Sequence, residues 1–388
     1  MSDRARIDHR SVAILGVVTI CSYGTWYYAF GVLLDPIRLT ESWSESTLAA
    51  SFSAGTVVIG LGSFSGGRLL DRYGHRTVFL LASILGPGAL LLASIAPSVW
   101  LFFVASAIGS GAFGALGFYH VTMTAAVRLN PDQPARAIAI LTIWGAAASA
   151  IYLPMASWLE ETTGWRTTTR LLAGAAFVIY SSAAVMLPQG EAVQGGVQPP
   201  LTTVLRSMVA RPDARRFTIA VGFGGIAMAT MLVYQVPTMT AVGLPAATAA
   251  AVAGLRGFSQ LGGRIPLTPI VKLIGIDQAL ILAFAAIGVG GALLSFSGTL
   301  PTAILFALVA GFGIGAFSPL QGMKAEELFE RDTLGATMGF YGSVLVLVGS
   351  AGPVLTGFIA EATGDRRWAS VVIIASASAA IAAQRQRQ

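Results

Sequence analysis

Arg256 is the residue whose surroundings most need an explanation. It lies in the stretch 246–274, AATAAAVAGLRGFSQLGGRIPLTPIVKLI, an otherwise apolar segment of membrane length. A guanidinium stays protonated at any working pH, so holding it at bilayer depth is costly unless it faces a water-filled cavity or meets an anion. Counting from Ala246 at ~1.5 Å per residue puts it ~15 Å into a hydrocarbon layer ~30 Å thick. Two chemistries follow: an electrostatic seat for an anionic substrate, or a structural tie to backbone carbonyls or a distant carboxylate.

Other polar side chains inside apolar stretches also need partners. Tyr27 and Tyr28 can donate hydroxyls to a carboxylate, or sit as interface aromatics. Tyr234 and Gln235 precede Pro237, which frees a backbone carbonyl and lets the helix bend as a gate. Gln260 follows Arg256 by one turn and shares its face, which makes it a partner for the arginine. Tyr341 and Trp144 are each followed by glycine and suit packing, with Tyr341 also within reach of a carboxylate. Tyr119 adds a further hydroxyl. The neighbouring His120 suits proton transfer near neutral pH, or else a helix-end hydrogen bond. Asp35 and Glu45 flank a loop and are expected to be solvated, Asp35 being the better external proton acceptor. Glu326, Glu327 and Glu330 form a surface charge run, and Cys21 is a packing residue.

The elements that must carry these residues follow from composition. Of 388 residues 55% are hydrophobic and 11% charged, and the mean hydropathy is +0.73, which describes an integral membrane protein. The 45 glycines suit membrane helices that approach closely. A balance of 24 basic against 18 acidic residues would suggest nucleic acid in a soluble chain, but no basic cluster with interleaved aromatics exists, and no nucleic-acid partner is expected. No Walker loop, metal-ligand cluster or nucleophile-and-base arrangement occurs, so neither an enzyme, a metal nor a cofactor is expected.

Hydropathy marks apolar segments at 12–34, 46–68, 77–96, 98–127, 135–159, 167–187, 216–241, 246–271, 278–297, 300–323, 334–360 and 367–384. The first follows MSDRARIDHR and is too long for a signal core, so it reads as a retained helix. With the N-terminus in the cytoplasm, most Lys and Arg fall inside, Arg264 among them. Only Arg38, Arg166, Arg170, Arg366 and Arg367 fall outside, which puts both termini in the cytoplasm of a cell whose inner membrane holds the chain.

The organisation expected is therefore all-α, with 12 transmembrane helices as two six-helix repeats around a central cavity. Residues 1–188 form one half and 216–388 the other, joined by a cytoplasmic linker, 189–215. Within that linker Leu201, Val204, Leu205, Met208 and Val209 recur at helical spacing, which suggests a short amphipathic helix. The repeat is visible in residues. Glu161-Thr-Thr-Gly-Trp-Arg166 recurs 200 positions later as Glu361-Ala-Thr-Gly-Asp-Arg366, and Gly66-Gly67-Arg68 as Gly262-Gly263-Arg264. Such repeats suit a carrier whose substrate sits near the midplane while the halves rock.

The strongest local motif is Gly67-Arg68-Leu69-Leu70-Asp71-Arg72-Tyr73-Gly74-His75-Arg76, one acid among arginines in a very short loop. It resembles the loop signature between helices 2 and 3 of the major facilitator superfamily. The resemblance implies that Gly67, Asp71, Arg72, Gly74 and Arg76 form a conformational latch that does not touch substrate. The second half lacks the acid, reading Gly263-Arg264-Ile265-Pro266. Within that superfamily, Phe30-Gly31, Asp35-Pro36, Trp43-Ser44 and Leu70-Asp71-Arg72-Tyr73-Gly74 resemble the monocarboxylate porters and their oxalate/formate antiporter relatives. Such porters carry a substrate-holding arginine in helix 8, where Arg256 stands. Animal members carry an acid one turn earlier, here Val252, and a lysine in helix 1, here replaced by Tyr27 and Tyr28.

The implied function is secondary transport of a small organic monocarboxylate, lactate- or pyruvate-like, coupled to protons, by a monomer in the lipid bilayer. Arg256, Tyr119, Tyr28, Tyr27, Gln260, Tyr341, Tyr234 and Gln235 are the candidate substrate residues, and His120 and Asp35 the proton carriers. The alternatives are a drug exporter or sugar carrier with a structural Arg256, an anion exchanger of the oxalate/formate type, and a membrane sensor without flux.

Overall fold

A computed structural model describes residues 7–188, 210–329 and 331–385. Among these the chain is helical throughout, with no strand. The first apolar segment forms α1 (His9–Ser22), a single stretch of wider π-helix (Tyr23–Tyr28) and α2 (Ala29–Glu41). Asp8 caps α1 by accepting the Ser11 N–H at 3.1 Å, and the bonds from Ser11 hold its carboxyl below the usual carboxylate range. Then come α3 (Glu45–Ser94), α4 (Val99–Gly117), α5 (Tyr119–Leu129) and α6 (Pro134–Met186). The C-terminal helices are α7 (Pro212–Ala241), α8 (Ala246–Arg264), α9 (Leu267–Ile274), α10 (Ile276–Leu294), α11 (Leu300–Leu328), α12 (Arg331–Gly349), α13 (Ala351–Thr363) and α14 (Trp368–Arg385).

Among the described residues ten stretches are long and apolar enough to cross a membrane: α1 with α2, α4 with α5, and most of α12 with α13 each make one, and α3 makes two, Glu45–Ser63 and Arg72–Ser94. One of them spans Arg136–Met186, 51 residues, or roughly 75 Å as a straight rod, more than twice a hydrocarbon core. It does not run straight, because Gly164 has non-helical angles (φ 76°, ψ 162°) and folds it back. Ala246–Arg264 is not among the ten: Arg256, Gln260 and Arg264 dilute its apolarity.

Two more breaks bear out the repeat in the backbone. Gly74 (φ 73°, ψ 167°) interrupts α3, and Gly275 (φ 81°, ψ 165°) separates α9 from α10, 201 positions later. This corner of conformational space is essentially closed to residues with a Cβ, so each turn requires glycine. In the loop motif, Arg72 and Arg76 are exposed, with the Arg72 guanidinium 5.2 Å over the Tyr73 ring. The side chain of Asp71, like Gly67, Arg68, Glu330 and the expected amphipathic helix at 201–209, lies outside the described residues.

Large apolar side chains such as Trp100, Trp158, Leu273 and Phe296 are exposed on the bundle surface, as expected where the neighbour is lipid. Inside, α3 packs on α4 and α6, and α11 on α8 and α10, while α6 against α8, α2 against α7 and α13 against α3 join the N-terminal to the C-terminal helices. The α6–α8 crossing is close because of glycine: a Cβ on Gly254 would lie 3.2 Å from the Ala150 Cα. That contact leaves Arg256, half a turn further along α8, beside the space where the two sets of helices meet.

Candidate functional site

Between the two sets of helices lies a cavity of about 260 Å³. Its N-terminal wall is aromatic: Tyr23, Tyr27, Tyr28, Phe118 and Tyr119. Two local irregularities build that wall. In the π-helical stretch the Ala29 N–H reaches back to the Gly24 carbonyl, and the wider turn brings Tyr23, Tyr27 and Tyr28 to one side. Between α4 and α5, Phe118 takes an extended conformation (ψ 176°), and its ring stacks on Tyr23 with centroids 3.8 Å apart. Next in sequence, Tyr119 donates weakly to the Thr142 carbonyl at 3.4 Å.

The C-terminal wall carries charge. Arg256 is 3% exposed, and its Nε–H donates to the Gln235 Oε1 at 2.6 Å. The amide of Gln235 is fixed in turn, its Nε2 donating to the Leu232 carbonyl at 3.3 Å. One N–H of the guanidinium is thereby spent on orientation, and its Nη groups remain for a ligand. Gln260, Arg264 and Gln321 line the same wall. Among the described residues no acid lines the cavity.

Several expected site residues meet here and several do not. Arg256, Tyr27, Tyr28, Tyr119 and Gln260 line the cavity. The partner of Arg256 is Gln235 on α7 and not Gln260 one turn along its own helix, since a side chain from the facing helix closes the shorter bridge. Gln235 acts behind the arginine. Tyr234 lies elsewhere, its hydroxyl 3.0 Å from the site of a Cβ on Gly357 in α13. Tyr341 is fully buried among aromatics, edge-on to Phe217 with centroids 4.7 Å apart. His120 Nε2 shares a hydrogen bond with the Ala115 carbonyl at 3.0 Å across the α4–α5 break, and does not line the cavity. Pro237 is accommodated within α7, which continues to Ala241.

The expectation that Asp35 and Glu45 are solvated is overturned. Arg366, in the turn between α13 and α14, binds both, reaching Asp35 through Nη1 at 2.5 Å and through Nη2, and Glu45 through Nη2 at 2.8 Å and Nε at 3.2 Å. Burial alone would push this guanidinium down, but the two carboxylates outweigh it and hold it above the ordinary arginine range. Beside them the Ser46 N–H donates to Glu361 at 3.1 Å. These contacts tie α2 and α3 to the C-terminal helices at one face of the bundle, beside an open depression of about 1010 Å³. The carboxylates find a partner because the repeat carries an arginine to the opposite turn.

A model of the Major Facilitator Superfamily matches residues 15–320 and 236–384. The chain belongs to that superfamily. As a member it is a multi-pass membrane transporter and not an enzyme. Among curated relatives this transporter is similar to monocarboxylate transporter 13 of Rattus norvegicus, 23% identical over 92% of the chain and 81% of the relative. It is likewise similar to monocarboxylate transporter 13 of Bos taurus, 24% identical over 92% of the chain and 82% of the relative. The crystal structure of the nucleoside transporter NupG superposes with a TM-score of 0.78 at 16% identity, covering 97% of this chain and 96% of that one, which speaks for the fold.

Sequence reasoning missed several cavity residues of this transporter, Tyr23, Phe118 and Arg264 among them. Tyr23 stands four positions before Tyr27, a spacing that shares one helix face, and that signal was legible, whereas Tyr28, five positions on, joins them only through the π-helical turn. Phe118 offered none, because nothing in its neighbours announces the break. Arg264 was read as one more basic residue at a helix end.

Proposed function

We propose that this transporter carries a small organic monocarboxylate, of the lactate or pyruvate kind, by alternating access between units formed by 1–188 and 216–388. The observation that carries the reading is Arg256: a buried guanidinium, oriented by Gln235, in a cavity that no acid lines among the described residues. A fixed cation without an internal counter-ion is stable when a ligand supplies the charge. The carboxylate binds the Nη groups, hydroxyls of Tyr27 and Tyr28 complete its hydrogen bonds, and Met228, Leu232 and Ile314 contact its apolar part. The names of the two animal relatives support the same substrate class.

The Arg366 cluster closes one face in the state described, and breaking it opens that face. With the N-terminus in the cytoplasm of a bacterial-type inner membrane, that face is external, and Asp35 is its proton acceptor. His120 is the second candidate for the coupling proton, and the loop motif, with Asp71, latches the other face. The unit of function is the monomer.

The test is uptake of labelled L-lactate and pyruvate into proteoliposomes, with and without an inward proton gradient. Gradient-stimulated uptake that is lost in Arg256→Gln supports the proposal. A parent protein that moves neither acid, in either gradient condition or in exchange, overturns it.

A further inference from the structure

Arg256 is not the only cation in the cavity. Arg264 lies eight residues further along α8, about 12 Å along the axis, and lines the same space. Its Nε is buried and has no hydrogen-bond partner among the described residues. The phenol of Tyr28 lies in the field of both guanidiniums, and that of Tyr119 in the field of Arg264. Two positive charges therefore face one cavity of about 260 Å³ that no acid lines among the described residues. Lys324, buried as deeply as Arg256, is by contrast neutralised by Asp277 at 2.8 Å and Glu327 at 3.0 Å.

Arg256 is buried and Arg264 half-buried, and two like charges that face one cavity without a counter-ion repel each other. A monocarboxylate on Arg256 relieves part of that repulsion. A ligand with a second acidic group relieves the rest, and the room suffices: the cavity holds about nine water volumes at ~30 Å³ each. Tyr28, between the two arginines electrostatically, can donate its hydroxyl to either carboxylate.

We infer that Arg264 is a second anion subsite and that the cavity binds short dicarboxylates, one carboxylate on Arg256 and the other on Arg264, more tightly than monocarboxylates of the same length. This rests on Arg256 being the seat of the first carboxylate. Arg264 thereby sets substrate class, while Arg256 is needed by every anion.

The length-matched pair succinate and butyrate isolates the second carboxylate. Binding of each to the purified full-length protein at neutral pH, by calorimetry, should give succinate an affinity about tenfold higher, the effect of one added charge-assisted contact. Arg264→Gln should remove that advantage, costing succinate about tenfold more than it costs butyrate, Arg264→Lys should restore part of it, and Arg256→Gln should lose both acids. Equal affinities in the parent, or an equal loss of both acids in a folded Arg264→Gln, overturn the inference while leaving the monocarboxylate reading intact. If the parent binds neither acid, both fall.

Discussion

At one face of the bundle two arginines, Arg366 and Arg38, share two carboxylates, whereas in the cavity two arginines, Arg256 and Arg264, have none among the described residues. The first region is complete: acids from α2 and α3 satisfy a guanidinium from the far end of the chain, and the contact holds helices together. The second is incomplete in charge, and its arginine is held by a neutral amide that orients without neutralising. Where a cation is matched it serves structure. Where it is positioned and left unmatched, the missing anion has to come from outside the fold.

The largest effect should come from the unmatched region. Arg256→Gln keeps a polar side chain beside Gln235 and removes the charge, and carboxylate uptake should fall at least ~100-fold, in line with ~3–5 kcal/mol for one member of a buried charged pair. Parental uptake rates in this variant would make both regions structural and dissolve the contrast. Arg366→Ala should act differently, leaving Asp35 and Glu45 close together with only Arg38 nearby. Stability should drop by about 3 kcal/mol. Thiol labelling of Thr238→Cys in a Cys21→Ala background should rise about tenfold, because the Thr238 hydroxyl donates to the Arg366 carbonyl at that face. Unchanged labelling would show that the cluster does not close the face.

Arg166 provides a sharper comparison, since it is the repeat partner of Arg366. It binds Glu41 at 2.9 Å and the Ser94 carbonyl at 2.8 Å, all within the N-terminal helices. Arg166→Ala should therefore cost about 2 kcal/mol in thermal unfolding and leave Thr238→Cys labelling at its control rate. Smallest in its effect on transport is Gly275→Ala, at the turn between α9 and α10, where a Cβ in that backbone conformation should cost about 1–3 kcal/mol. A lowered melting temperature with parental transport is the expected result. A transport defect there would mean that this turn takes part in the conformational change.

Much of the fold was legible because its signals are local. Apolar lengths, glycine punctuation and the 200-residue recurrence of Glu161–Arg166 in Glu361–Arg366 each reside in contiguous residues. The exception is 246–264, where Arg256, Gln260 and Arg264 dilute the apolar signal that marks its neighbours. In the site, Arg256 was legible because a charge at bilayer depth is anomalous wherever it falls. Arg264 was not, because a basic residue at a helix end is what ordinary topology requires.

The sequence by itself determined that helices cross a membrane, that the chain repeats, and that one cation at bilayer depth needed a partner, since hydropathy, recurrence and desolvation cost belong to single residues and short windows. Only the tertiary structure decided which partner each polar group meets. Arg166 and Arg366 stand in matching motifs, yet one binds its own set of helices and the other reaches across, because the partner depends on which carboxylate the folded chain brings within ~3 Å. The same holds for Gln235 behind Arg256, for the tyrosines that a π-helical turn gathers on one side, and for Arg264, whose role follows from the absence of an acid among the described residues of a wall assembled from distant segments.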